Sequence, residues 1–124
     1  MDSTSSSAAI SVAVTTVEKV YHTKNLERID LAKIDVEGAE PAVLRGMGPL
    51  LARFRPSLLV EILSDEAGRE IESITKELGY LYFDINDDTR NGPRDVKRVE
   101  SIRKSRCLNY LLVLPEAARR IGIA

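Results

Sequence analysis

The stretch Leu31–Gly46, "LAKIDVEGAEPAVLRG", decides how this chain is read. It closes an apolar, branched run from Ile29 to Val36 that has the length and composition of a buried strand. Pro41 then sits where a first helical turn accepts proline, because the N–H it lacks has no partner there. Between the two lie three carboxylates, Asp35, Glu37 and Glu40, around Gly38. Carboxylates at the end of an apolar strand need a partner or a task, so the turn is a candidate binding site, a metal site or a plain junction.

Downstream, "AVLRGM" supplies one or two helical turns, "GMGP" breaks them, and a second short helical stretch carries Leu50, Leu51 and Phe54 before Pro56 ends it. "SLLVEIL" is the most continuous apolar run in the chain and suits a strand covered on both faces. Ser64 caps a following helix with Asp65 and Glu66 in its first turn. Ala67, Ile71, Ile74 and Leu78 repeat at helical steps, and Gly79 stops them. "YLYFDI" and "CLNYLLVLP" read as strands, and "NDDTRNGPRD" between them holds the clearest turn signal. "VKRVESI" is ambiguous between strand and helix.

Upstream, Ile10, Val12 and Val14 alternate as in a short strand, and "TTVEKVYHTKN" reads as a short helix with Thr15 or Thr16 as its cap. Residues 1–9 are expected to be a flexible lead, 10–115 one domain and 116–124 a tail. The order of elements implies an α/β fold: parallel strands with helices between them, ending in an antiparallel strand pair.

At 124 residues the chain allows one domain. Its apolar content of 44%, with 30% charged residues, is that of a folded protein. A net charge of -1 gives no reason to expect nucleic acid or membrane as partner. The basic residues Arg98, Arg103, Lys104 and Arg106 are interleaved with Glu100 and lack stacking aromatics, so they read as solvated surface. The N-terminus has no basic region ahead of its moderately apolar part, so it does not read as a signal peptide or membrane span. Cys107 is the only cysteine, which excludes an internal disulfide and points to a reducing, cytoplasmic setting. It is expected to be a small packing residue. The single histidine, His22, reads as a surface residue, and Tyr80 and Tyr82 as core.

With these motifs in hand, the chain resembles the FkbM family of S-adenosylmethionine-dependent methyltransferases. "LAKIDVEGAEPAVLRG" is similar almost letter for letter to that family's most characteristic block. "VAVTTVEKVY", "RPSLLVEI" and the pair "ELGYLYFDI" and "CLNYLLVLP" support it, as does the small-residue loop "STSSS". The resemblance implies a partial Rossmann-like methyltransferase fold, S-adenosylmethionine as cofactor and O-methylation of a hydroxyl on a sugar or other small molecule. It also implies that the chain represents the C-terminal half of the domain, without the strand and Gly-rich turn that cradle the cofactor. Gly46-Met47-Gly48 follows a helix and precedes Pro49, the wrong context for such a turn, so no cofactor-binding residue is assigned. The other reading is a truncated or diverged α/β domain that acts structurally or needs a partner segment to bind cofactor.

In an open α/β sheet, ligands bind beyond the carboxyl ends of the parallel strands. Asp35 and Glu61 hold those places on successive strands. Methyl transfer chiefly requires alignment of donor and acceptor, and a carboxylate near the acceptor can take its proton. Asp35 is therefore the expected catalytic acid–base group, with Glu37, Gly38 and Glu61 as substrate-binding residues. Glu40 is expected to cap the next helix, and Lys33 to share the strand face of Asp35 and compete for a carboxylate. A divalent ion on Asp35 and Glu37 is chemically allowed, but no third ligand is identifiable, so no metal is assigned. Loss of the strand that pairs with Ile29–Val36 in the full fold leaves an open edge, which implies self-association through it.

Overall fold

A computed structural model describes residues 8–124. It is a mixed α/β structure around one five-stranded sheet. The strands are β1 (Leu31–Ile34), β2 (Ser57–Glu61), β3 (Leu81–Asn86), β4 (Asp95–Val99) and β5 (Asn109–Val113). The helices are α1 (Val17–Thr23), α2 (Glu40–Arg45), α3 (Pro49–Phe54), α4 (Asp65–Thr75) and α5 (Pro115–Ile121).

The strands lie in the order β1-β2-β5-β3-β4. Among the described residues only β1 and β2 pair in parallel, with Ile34 opposite Val60. β5 runs antiparallel between β2 and β3, and β4 closes the sheet as an antiparallel hairpin on β3. The expected closing pair does form, with Leu81 opposite Val113. "VKRVESI" resolves as β4. The expected parallel array is thus reduced to one pair, because β5 inserts beside β2 and keeps β3 from joining it.

Local chemistry explains the helix ends. Thr16 caps α1 by accepting from the Lys19 N–H at 3.1 Å, and Ser64 caps α4 by accepting from Ala67 at the same distance. Gly79, with φ of +84°, ends the helical run after α4. Gly68 lies on α4 against the Ile102 carbonyl, so closely that a Cβ there would collide with backbone.

β2 does not bury both faces: Leu58 and Val60 are buried, while Ser57, Leu59 and Glu61 on the other face are only partly so. Leu58, Val60, Tyr82, Tyr110 and Leu112 cluster with Leu44 of α2, Met47 of the corner after it and Ile71 of α4. A smaller cluster on the opposite face joins Phe83 and Val113 to Ala118 of α5. Residues 116–124, set apart in the sequence as a tail, are therefore mostly a helix packed on the sheet. Tyr80 and Tyr82 are buried, their hydroxyls bonded to the Pro56 carbonyl at 2.6 Å and to the Thr75 hydroxyl at 2.9 Å. Burial pushes both phenols upward in pKa.

The segment Ile10–Val14 is not a strand. It has no regular secondary structure and is exposed, with no ladder partner among the described residues. Residues 1–7 of the expected lead, including "STSSS", lie outside the described residues.

Candidate functional site

Because β1 and β2 are parallel, their carboxyl ends open on one rim of the sheet. The register that sets Ile34 against Val60 brings the next residues, Asp35 and Glu61, side by side. The chain then turns sharply: Glu37 adopts a φ of +54° and Gly38 one of +100°. A left-handed conformation is unfavourable for a residue with a Cβ, so Glu37 must be held there. The turn swings the Glu37 carboxylate back, and one oxygen from each of Asp35, Glu37 and Glu61 lies within 4.8 Å of the others. These three residues of the sequence expectation converge, and Gly38 supplies the turn.

Glu40 does something other than cap a helix. The N-cap position is Ala39, and Glu40 is the first residue of α2. Its fully buried carboxylate reaches backward, one oxygen accepting from the Val36 N–H at 2.8 Å and the other from the Gly38 N–H at 3.1 Å. Two hydrogen bonds to a charged acceptor are strong ones, and they clamp the turn that carries Asp35 and Glu37. Its side chain is spent on this turn and is not one of the three clustered carboxylates.

A cavity of about 300 Å³ lies over the cluster, bounded by Lys33, Asp35, Leu59, Glu61, Ile85, Asp87 and Asn109. Lys33 does share the face of Asp35, two residues apart on one strand. Among the described residues it forms no ion pair. The cluster is thus acidic, with Lys33 on the same cavity wall but not ion-paired to it. Partial burial of Glu61, and then the charge of Asp35 and a hydrogen bond with it, push the Glu61 carboxyl above its ordinary value, with smaller contributions from Glu37 and Glu40.

Chemically, such a set can share a proton, accept hydrogen bonds from several hydroxyls, or offer oxygen donors to a hard cation. Glu61, which the sequence places at the strand end beside that of Asp35, is also the third oxygen donor that it did not identify for Asp35 and Glu37. Sequence reasoning also missed Asp87 and Asn109. Asn109 opens β5, which follows β3 and β4 in the chain yet lies beside β2, and no local pattern announces that placement.

Other titratable groups are accounted for elsewhere. His22 is exposed on α1, edge-on to the Tyr21 ring at 5.1 Å. Cys107 is half-buried and donates to the Asn86 side-chain oxygen at 3.1 Å rather than packing in the core. Within the basic cluster, Arg106 pairs with Asp88 at 2.8 Å and Arg103 with Glu72 at 3.3 Å. No described helix is long and apolar enough to cross a membrane.

Gly46-Met47-Gly48 is a corner between α2 and α3. Met47 is buried, and a Cβ on Gly48 would meet the Glu18 carboxylate. It offers no open cradle for a cofactor.

Residues 2–82 match the family model of the methyltransferase FkbM domain, a span that includes the carboxylate turn, β2 and the start of β3. No curated protein and no solved structure matches the chain.

Proposed function

The chain belongs to the FkbM methyltransferase family, and on that premise we propose that it carries the acceptor side of a methyl transfer to a hydroxyl of a sugar or related small molecule. The observation that carries this reading is the convergence of Asp35, Glu37 and Glu61 on one rim of the parallel pair, beneath a cavity. β1, β2 and β3 run in one direction with β5 reversed among them, which supports a partial Rossmann-like sheet with its site at the strand ends.

Family membership suggests S-adenosylmethionine as the methyl donor. The Gly-x-Gly corner after α2 is blocked and the acidic cavity is small, so neither is assigned to it. The chemistry derived from this chain is therefore confined to the acceptor. A hydrogen bond between Glu61 and Asp35 occupies one Asp35 oxygen. The other Asp35 oxygen is free to accept the hydrogen bond of an acceptor hydroxyl and take its proton. Glu37 and the Gly38 backbone stand beside that position, the first as an acceptor for a neighbouring hydroxyl and the second leaving room for close approach.

The test is transfer of labelled methyl groups from S-adenosylmethionine to a panel of sugars by the full 124-residue chain and by Asp35→Asn. The reading predicts a loss of at least about 100-fold in the variant, the size of a general-base contribution, with the fold unchanged. Equal turnover by both would remove Asp35 from the chemistry. Turnover or cofactor binding that appears only when the glycine-rich half of a family domain is added would favour the half-domain reading.

A further inference from the structure

The cavity that holds Asp35 on its β1 side has a second polar wall, built by parts of the chain far away in sequence. Glu61 lies opposite Asn109 in the ladder of β2 with β5, and Asn109 opposite Ile85 in the ladder of β5 with β3. Ladder partners share a face of the sheet, so Glu61, Asn109 and Ile85 form one row along the rim. Asp87 follows β3 directly and lines the same cavity.

This wall is held by bonds of its own. The Asn86 side-chain oxygen accepts from the Asp88 N–H and from the Cys107 thiol, both at 3.1 Å. Asp88 in turn pairs with Arg106 at 2.8 Å, and the Asn109 side-chain N–H donates to the Cys107 carbonyl at 3.0 Å. The loop after β3 and the segment before β5 are thereby fastened together. Of the two successive aspartates, Asp88 is spent on this clasp. Among the described residues the Asp87 carboxylate enters no hydrogen bond or ion pair, and Asn109 keeps one side-chain N–H and its side-chain oxygen for a further partner.

We infer that Asp87 and Asn109 are specificity residues of the acceptor site, gripping an adjacent pair of hydroxyls on the sugar whose reacting hydroxyl faces Asp35. The inference rests on the acceptor reading above and adds how the reacting position is chosen. A carboxylate accepts hydrogen bonds, whereas a carboxamide both donates and accepts. Together they can accept from both hydroxyls of a vicinal diol and donate to one of them. At about 300 Å³ the cavity is at the lower end for small-molecule sites, which suits one sugar ring rather than a chain of them. A ring anchored by its diol on the side of β3 and β5 turns a hydroxyl from its other edge toward the end of β1. Alignment of that kind is what a positioned acceptor requires.

NMR titration of the full chain with methyl glycosides of common hexoses and their monodeoxy analogues, with no cofactor present, tests it. Wild type should bind at least about tenfold more weakly the analogues that lack either hydroxyl of one adjacent pair, since a site built to bond a hydroxyl rejects a ligand without it. Asp87→Ala and Asn109→Ala should each bind the parent glycoside at least about tenfold more weakly and should no longer distinguish it from those analogues. A merely structural role would weaken every glycoside and leave their ranking unchanged. Variants that keep the wild-type ranking, or a wild type that binds a glycoside but is indifferent to adjacent hydroxyls, would overturn the inference and leave the acceptor reading standing. A wild type that binds no glycoside would overturn both.

Discussion

Two groups of carboxylates stand at different places on this sheet and behave in opposite ways. Asp88, in the loop after β3, is clamped by Arg90 at 2.9 Å and Arg106 at 2.8 Å. These guanidiniums, Arg90 foremost, hold its carboxyl down at about 2. At the ends of β1 and β2, Asp35, Glu37 and Glu61 crowd one another with no ion pair among the described residues, and Glu61 moves upward instead. The first arrangement ties a loop together. The second costs stability, because like charges at short range oppose each other's ionisation. Acids that are brought together at a cost, by a backbone held in positive φ, are what the proposed acceptor site rests on.

The largest expected break in this contrast comes from Glu40. Replacing it by Ala leaves the Val36 and Gly38 N–H groups without their acceptor and should cost about 1–3 kcal/mol in chemical denaturation. Amide hydrogen exchange should quicken first at those two positions. A variant as stable as wild type would mean that the turn holds itself. Next in size is Gly38→Ala. Open space surrounds that position, so a Cβ there meets no atom, and the cost of about 1 kcal/mol is purely torsional. If the variant were neutral, the positive φ would not be under constraint.

A smaller effect, with a distinct pH signature, belongs to Asp88. Its folded pKa lies below its unfolded one, so its contribution is present above the unfolded value and lost as pH falls. The melting temperature of wild type should drop between about pH 4 and about pH 2, and that of Asp88→Asn should drop less across the same window. Parallel curves would show that the clamp contributes nothing measurable, as many exposed ion pairs do.

Much of the fold was legible because local chemistry agreed with it. Thr16, Ser64, Pro41, Pro56 and Gly79 mark element ends as side-chain caps and backbone restrictions dictate. The alternation Ile10-Val12-Val14 reads as a strand yet forms none, because a strand requires a ladder partner and β-propensity cannot supply one. The position of β5 between β2 and β3 was hidden for the related reason that strand order is a long-range choice. In the site, Asp35 and Glu61 were legible from their places at parallel strand ends, and the family resemblance rests on the same block. The backward reach of Glu40 was not, since an acid beside Pro41 looks like an ordinary helix start. Asp87 and Asn109 reach the cavity only through the sheet topology.

The central claim is that Asp35, Glu37 and Glu61 form one coupled acidic centre. Carbon-13 NMR titration of the Glu61 carboxyl, in wild type and in Asp35→Asn, tests it most directly. In wild type Glu61 should titrate above the ordinary glutamate value of 4.5, and its midpoint should move down when the Asp35 charge is removed. The sign carries to stability: a raised folded pKa means that Glu61 favours the fold most below its unfolded pKa and loses that advantage as pH rises through the folded value. A Glu61 midpoint at or below 4.5, indifferent to the loss of Asp35, would contradict the account.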